Sequence, residues 1–254
     1  MFLPGGEDFE IGRGATLRNP AFYEGDKLAT FDCVIANPPF SLKKWGDDLW
    51  LSDPYNRNFA GVPPEGNGDL AWVQHMIKSM SYPHGRVAVV LPHGALFRKG
   101  KEGEIRKKIL EMDILEAVIG LGANIFYGAS LSACVLVFRA NKSNEKERKV
   151  LFVDASDQIK IGRAQNYLEK EHIDRIFSWY QSFQDVQNYA KVATIDQINE
   201  NDGNLNIPLY VEKELKNDLP SIDQAKNDLK DSLESVWTAE EKLKKLLKEF
   251  SLLP

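Results

Sequence analysis

The sequence predicts an α/β fold in which a mainly parallel sheet, with one antiparallel hairpin, is followed by a helical carboxyl-terminal region. Between Phe31 and Phe138, short apolar runs alternate with helical patterns, the rhythm of strand–helix–strand units. Two of the apolar runs lie too close together for a helical crossover and must pair antiparallel. From about Gly162 onward the pattern is mostly helical. The expected division is a first domain over 1–160 and a helical region over 161–254.

The elements follow in order. Phe31 to Ala36 is an apolar run bounded by Pro38-Pro39, which offer no backbone N–H and end strand pairing. Leu51 to Gly68 is punctuated by Pro54, Gly61, Pro63, Pro64 and Gly66, and a connection of that length in a compact domain often carries function. Asp69 to Ser81 reads as helix, Arg86 to Leu91 as strand, Lys101 to Met112 as helix and Ile114 to Leu121 as strand. Leu131 to Arg139 follows after only Gly122 to Ser130, which makes these last two strands neighbours in a long hairpin. Asn141 to Lys149 is a charged spacer before a further strand, Val150 to Val153. Ile176 to Phe183 is aromatic, and Asp202 to Pro208 breaks the helical pattern.

The last element is a helix opened by Ser221 and Gln224 as a capping box after Pro220. Ile222, Leu229, Val236, Leu243 and Phe250 recur every seven residues, with Leu233 and Leu247 between them and Lys226 and Glu240 interrupting. The helix is about 43 Å long at 1.5 Å per residue. Its seam suits either a coiled-coil-like partner or the chain's own helices.

Composition narrows the classes. The chain has 254 residues, 43% hydrophobic and 27% charged, which excludes wholesale disorder. No stretch reaches the ~20 apolar residues of a membrane span, and Met1 to Glu10 carries acids rather than a leader pattern, so no membrane and a cytoplasmic location are expected. Cys33 and Cys134 sit apart in apolar runs and read as buried free thiols in a reducing compartment. The formal charge of −5 gives no general attraction for a polyanion. If nucleic acid is the substrate, another chain supplies much of the grip.

The stretch Asn37-Pro38-Pro39-Phe40 carries the chemistry. It lies at the carboxyl end of a strand, where ligands bind in open α/β sheets. The exocyclic amine of adenine is a poor nucleophile, because its lone pair is delocalised into the ring. Acceptors on both N–H bonds localise that pair, and the Asn37 side-chain oxygen and the Pro38 carbonyl, stiffened by Pro39, are two such acceptors. Phe40 offers a stacking surface for a base turned out of a helix. The plainer alternative is a proline-rich turn that only ends a strand.

These residues, with Gly85-Arg86-Val87-Ala88-Val89-Val90-Leu91-Pro92, Asn124-Ile125-Phe126-Tyr127-Gly128 and Ala133 to Phe138, resemble the methylation subunit of type I restriction-modification systems, in the N6-adenine DNA methyltransferase family. Similarity extends through Gly162-Arg163-Ala164-Gln165-Asn166 and Asn204-Leu205-Asn206-Ile207-Pro208. The resemblance implies a methyltransferase-type fold and methyl transfer from S-adenosylmethionine to a flipped adenine in DNA. Asn37 and Pro38 would hold the amine, Phe40 would stack on the base, and Phe126 or Tyr127 would line the other side, ordinary packing being their alternative. The implied partners are a DNA-specificity subunit and a restriction subunit.

The family's glycine-rich cofactor turn is not recognised before Asn37. Gly5-Gly6 and Gly12-Arg13-Gly14 lack a flanking strand and helix, and Gly120-Leu121-Gly122 follows a strand too late. The expectation is therefore the family's downstream part, inactive by itself, with no assignable cofactor residues. The competing reading is a non-enzymatic assembly module that binds a specificity subunit.

Other signals are weaker. Arg98, Lys99, Lys101, Arg106, Lys107 and Lys108 form a basic cluster, but the interleaved Glu102, Glu104 and Glu111 favour a charge-paired helix face. None of His75, His84, His93 and His172 stands in a metal-binding spacing, and no metal is expected. Lys99-Gly100-Lys101 lacks the spacing of a phosphate loop.

Overall fold

The computed structural model describes residues 10–126, 131–213 and 221–250. The chain divides into two compact units, Met1–Lys213 and Glu214–Pro254.

In the first unit a small antiparallel ribbon, β1 (Tyr23–Glu24) and β2 (Lys27–Leu28), precedes β3 (Cys33–Ala36). Then come α1 (Asp47–Trp50), α2 (Asp69–Lys78), β4 (Arg86–Pro92), α3 (Gly94–Phe97), α4 (Lys101–Glu111), β5 (Leu115–Leu121), β6 (Ala133–Arg139) and β7 (Lys149–Ala155). α5 (Lys170–Ser182), β8 (Ala190–Thr194) and α6 (Ile195–Glu200) complete it, followed by a 3-10 turn at Ile207–Leu209.

The main sheet has the order β3-β4-β6-β5-β7-β8. β3 and β4 pair parallel, β5 and β7 pair parallel, and β6 runs antiparallel to both β4 and β5. Hence β3, β4, β5 and β7 all point the same way, and their carboxyl ends share one edge. The mainly parallel sheet and the β5–β6 hairpin agree with the sequence. β8, antiparallel to β7, was not expected within the helical region. Its five residues, Ala-Lys-Val-Ala-Thr, carry a single large apolar side chain, too few to announce a strand by pattern.

Alternation within the strands builds two layers. Val87, Val89 and Leu91 of β4 and Cys134, Leu136 and Phe138 of β6 join the larger core with α2, α4 and α6. The opposite face carries Ala117, Ile119, Leu151 and Val153, covered by Ile176, Trp179 and Tyr180 of α5. A buried carboxylate fastens α5 there. Glu116 accepts from Tyr180 Oη at 2.8 Å, Lys146 Nζ at 2.8 Å and Arg139 Nε at 3.1 Å.

The Leu51–Gly68 connection is held by polar groups of its own and of the elements that flank it. Trp50 is fully buried and donates Nε1–H to the Leu17 carbonyl at 3.0 Å. Arg57 and Asp53 form a buried pair, and Gln74 bonds both Ala60 N and Gly61 O. The break at Asn204 to Pro208 is core packing: Leu205 N–H donates to Leu96 O, Ile207 is buried, and Tyr210 stacks on Phe152 with centroids 3.9 Å apart.

Among the described residues, the second unit is one helix, α7 (Ile222–Glu249), opened by Ser221 Oγ accepting from Gln224 N–H at 3.2 Å. Its seam is exposed: Leu229, Val236 and Leu243 each keep more than half of their surface. No described helix is long and apolar enough to cross a membrane.

Candidate functional site

The chain leaves β3 at Ala36 and enters the diproline stretch at the carboxyl edge of the sheet. Asn37 is exposed, and among the described residues its side chain makes no hydrogen bond. Pro38 is buried, Pro39 exposed and Phe40 half-buried. A short buried device fixes this arrangement. Ser41 turns the chain in the left-handed region, φ 51°, and donates its N–H to Asp69 Oδ1 at 2.8 Å. Asp69 opens α2, is buried to 1% exposure, and through Oδ2 receives Arg98 at 2.5 Å. Arg98 in turn forks onto Glu102 at 2.8 and 3.0 Å.

Sequence reasoning missed Asp69, which stands 29 residues beyond Phe40 at the head of an ordinary amphipathic helix. The signal was there in retrospect, in an acid directly after Gly66-Asn67-Gly68. The same geometry engages three of the six residues of the basic cluster, leaving Lys99, Lys101 and Lys108 exposed. Arg98 is spent on carboxylates, Arg106 is buried and donates to the Arg98 and Ala95 carbonyls, and Lys107 reaches Asp202 at 2.5 Å. Burial acts against the Arg98 charge, and its bonds to Glu102 and Asp69 outweigh that, holding its pKa above the ordinary value.

The opposite wall comes from the loop after β5. Phe126 is half-buried and meets Phe40 edge to face, with ring centroids 6.1 Å apart at 75°. The two rings form a corner rather than a parallel slot. Gly162 to Asn166 secures this loop: Asn166 donates N–H to Asn124 O at 2.8 Å and Nδ2–H to Ala123 O at 2.9 Å, and Gln165 bonds Ile125 O. Tyr127, the other expected wall residue, lies outside the described residues.

One sequence expectation needs correction. Cys33 is exposed on β3, whereas Cys134 is fully buried and its thiol is pushed up to about 12 by burial, with the Asp69 charge adding to it. Cys33 misled because its apolar run forms the edge of the sheet. Gly120 and Gly122, set aside above as cofactor glycines, are packing positions. A Cβ on Gly120 would stand 2.5 Å from Ile207 Cδ1, and one on Gly122 would stand 2.6 Å from Ile159 Cγ2 and 2.8 Å from Ser156 O.

Glycine Cβ space also tests for a cofactor cradle. A Cβ on Gly12 would stand 2.7 Å from Ala21 Cβ, and one on Gly94 would stand 2.2 Å from Arg98 Nη1. These glycines, like those after β5, are filled by the chain itself. Gly25, Gly66 and Gly100, by contrast, border open space. The described residues hold no group of three or more side chains that could ligate a metal.

Comparison with known proteins adds the following. The profile of the family described as N-6 DNA methylase matches residues 2–218. The Methanocaldococcus jannaschii type I restriction enzyme MjaVII methylase subunit is 35% identical over 252 residues, 96% of this chain and 41% of that protein. The MjaIX methylase subunit of the same organism is 34% identical, over 94% of this chain and 46% of that protein. A crystal structure of the type I restriction-modification methyltransferase subunit from Streptococcus thermophilus superposes with a TM-score of 0.68 at 37% identity. It covers 73% of this chain and 39% of that one. This chain thus spans less than half the length of each of these three relatives.

Proposed function

This chain belongs to the N-6 DNA methylase family, and from that premise we propose that it supplies the base-holding part of a type I DNA methyltransferase acting on adenine N6. The observation that carries the reading is the corner between Phe40 and Phe126, with the unpartnered Asn37 amide at the same edge of the sheet. A flipped adenine stacks on Phe40 and abuts Phe126. Asn37 Oδ1 and the Pro38 carbonyl accept the two amine N–H bonds, which draws the nitrogen toward tetrahedral geometry and localises its lone pair for attack. Asp69 serves this by fixing the turn at Ser41 and so the direction of Phe40.

S-adenosylmethionine is the methyl donor in this reading. DNA, a specificity subunit and a restriction subunit are the proposed partners. The exposed seam of α7 supports assembly through that helix. That same seam is the observation favouring the second reading, a module retained for assembly alone.

The test is methyl incorporation by a complete type I complex built on this chain, using labelled S-adenosylmethionine and duplex DNA, followed by digestion to nucleosides. Label on N6-methyladenosine is expected. Label on cytosine, or none despite an assembled complex, contradicts the enzymatic reading and supports the assembly module.

A further inference from the structure

After β7 the chain makes a small hairpin over residues 160–167, closed by a two-way backbone bridge: Lys160 N–H donates to Tyr167 O at 2.8 Å, and Tyr167 N–H to Lys160 O at 2.9 Å. Gly162 turns it. A Cβ there would stand 2.1 Å from Gln165 O and 2.5 Å from Tyr167 Cε2, so the turn closes this tightly only on glycine. Its N–H donates to Asn166 Oδ1 at 3.3 Å.

The hairpin is fastened to the loop that carries Phe126. Asn124 Nδ2–H donates to Ala164 O at 3.2 Å, adding to the bonds that Gln165 and Asn166 make to Ile125, Ala123 and Asn124. Hairpin and aromatic wall are thus one hydrogen-bonded piece. Its tip, however, is bare. Ile161 is 83% exposed, Arg163 and Ala164 are exposed, and Arg163 makes no hydrogen bond or ion pair among the described residues. Lys160, by contrast, is paired with Glu169 at 2.5 Å. A lone exposed isoleucine needs no explanation by itself. One held out on a fixed support beside the Phe40–Phe126 corner does, because ordering a surface loop costs conformational entropy.

An adenine received by that corner leaves a gap in the base stack, and proteins that open a duplex fill such gaps with apolar side chains, isoleucine among them. Ile161 is four residues from Gln165, hence at most about 14 Å from it along the chain, a reach comparable with the ~12 Å width of a major groove. We propose that the tip of this hairpin enters the target duplex, Ile161 occupying the gap left by the extruded adenine and Arg163 contacting a phosphate beside it. The inference rests on the base-holding reading above. A protein partner is the poorer occupant, since the centre of a protein interface is a contiguous apolar patch, whereas this tip sets one isoleucine beside a glycine and a free guanidinium.

The test uses the complete type I complex built on this chain and duplexes carrying 2-aminopurine at the methylated position, opposite either thymine or an abasic site. The rate of the fluorescence rise on binding reads extrusion. Ile161→Ala should slow it about tenfold on the paired duplex, and the abasic site, which leaves the base unpaired and cheap to extrude, should restore it to within about twofold of the parent. Arg163→Gln should lower the slope of log affinity against log salt by about one. Both variants should assemble and melt as the parent does. Equal slowing on the two duplexes, or none, overturns the wedge, and an unchanged salt slope overturns the phosphate contact. Lost assembly with the specificity subunit overturns both in favour of a protein contact. No rise with the parent complex contradicts the base-holding reading and the wedge with it, whereas a parental rise that Ile161→Ala leaves untouched contradicts the wedge alone.

Discussion

Phe40 and Phe126 lie 86 residues apart in the chain and meet edge to face at 6.1 Å, one ring borne by the turn after β3 and the other by the loop after β5. Base stacking on an aromatic ring contributes about 1–3 kcal/mol, or roughly 5- to 150-fold in affinity. In a complete complex, Phe40→Ala is expected to weaken binding of a 2-aminopurine oligonucleotide within that range, and Phe126→Ala by less. Because the rings touch, the double variant should be non-additive. Additive losses, measured by 2-aminopurine fluorescence, would separate Phe126 from the site.

Asp69 supports the same corner from beneath. Asp69→Ala strands the Ser41 N–H and removes one of the two carboxylates on Arg98, and about 2–4 kcal/mol of unfolding free energy should be lost. Asp69→Asn keeps an acceptor for Ser41 and should lose less. Urea unfolding of the isolated chain checks both, and equal losses would mean that the Ser41 bond contributes nothing.

How much of this was legible in the sequence depends on the range of the interactions. The diproline turn and the β5–β6 hairpin are local patterns, and both could be read. Phe126 was reached only through a resemblance, because nothing within its own stretch marks it. The Asp69–Arg98–Glu102 chain was unreadable as a unit, since two of its members looked like an ordinary i,i+4 helix pair and the third begins another helix. Cys33 was misjudged and β8 overlooked for a shared reason, that both lie in terminal strands of the sheet, where the pattern of burial is weakest.

Stability should fall in acid in two steps. Desolvation pushes the His75 pKa down to about 4, with the Arg57 charge acting in the same direction. Between the unfolded value near 6.5 and about 4 the unfolded chain therefore binds more protons, and stability is lost as pH falls, roughly 2 kcal/mol by pH 4.5. Burial alone would raise the pKa of Glu116, but its bonds from Lys146, Tyr180 and Arg139 outweigh this and depress it. Its contribution is present above about pH 4.5 and lost as pH falls through the lower folded value. His75→Gln should flatten the first step and leave the second. Unfolding curves between pH 7 and 4 that are identical for the two proteins would reject the assignment.

For α7, Leu229→Glu combined with Leu243→Glu places two charges on the exposed seam. Co-purification with a specificity subunit should be lost, and the cooperative melting of the Met1–Lys213 unit should be unchanged. Retained co-purification would reject α7 as the assembly helix.

The central claim is that Asn37 activates the amine, and single-turnover methyl transfer by Asn37→Ala in the assembled complex tests it most directly. The acceptor acts in the transition state, where a comparable oxyanion-hole donor contributes about 3–4 kcal/mol. The rate of transfer is therefore expected to fall by two to three orders of magnitude, on the order of 10²–10³, with 2-aminopurine binding little changed. Transfer within a few-fold of the parent rate would contradict it.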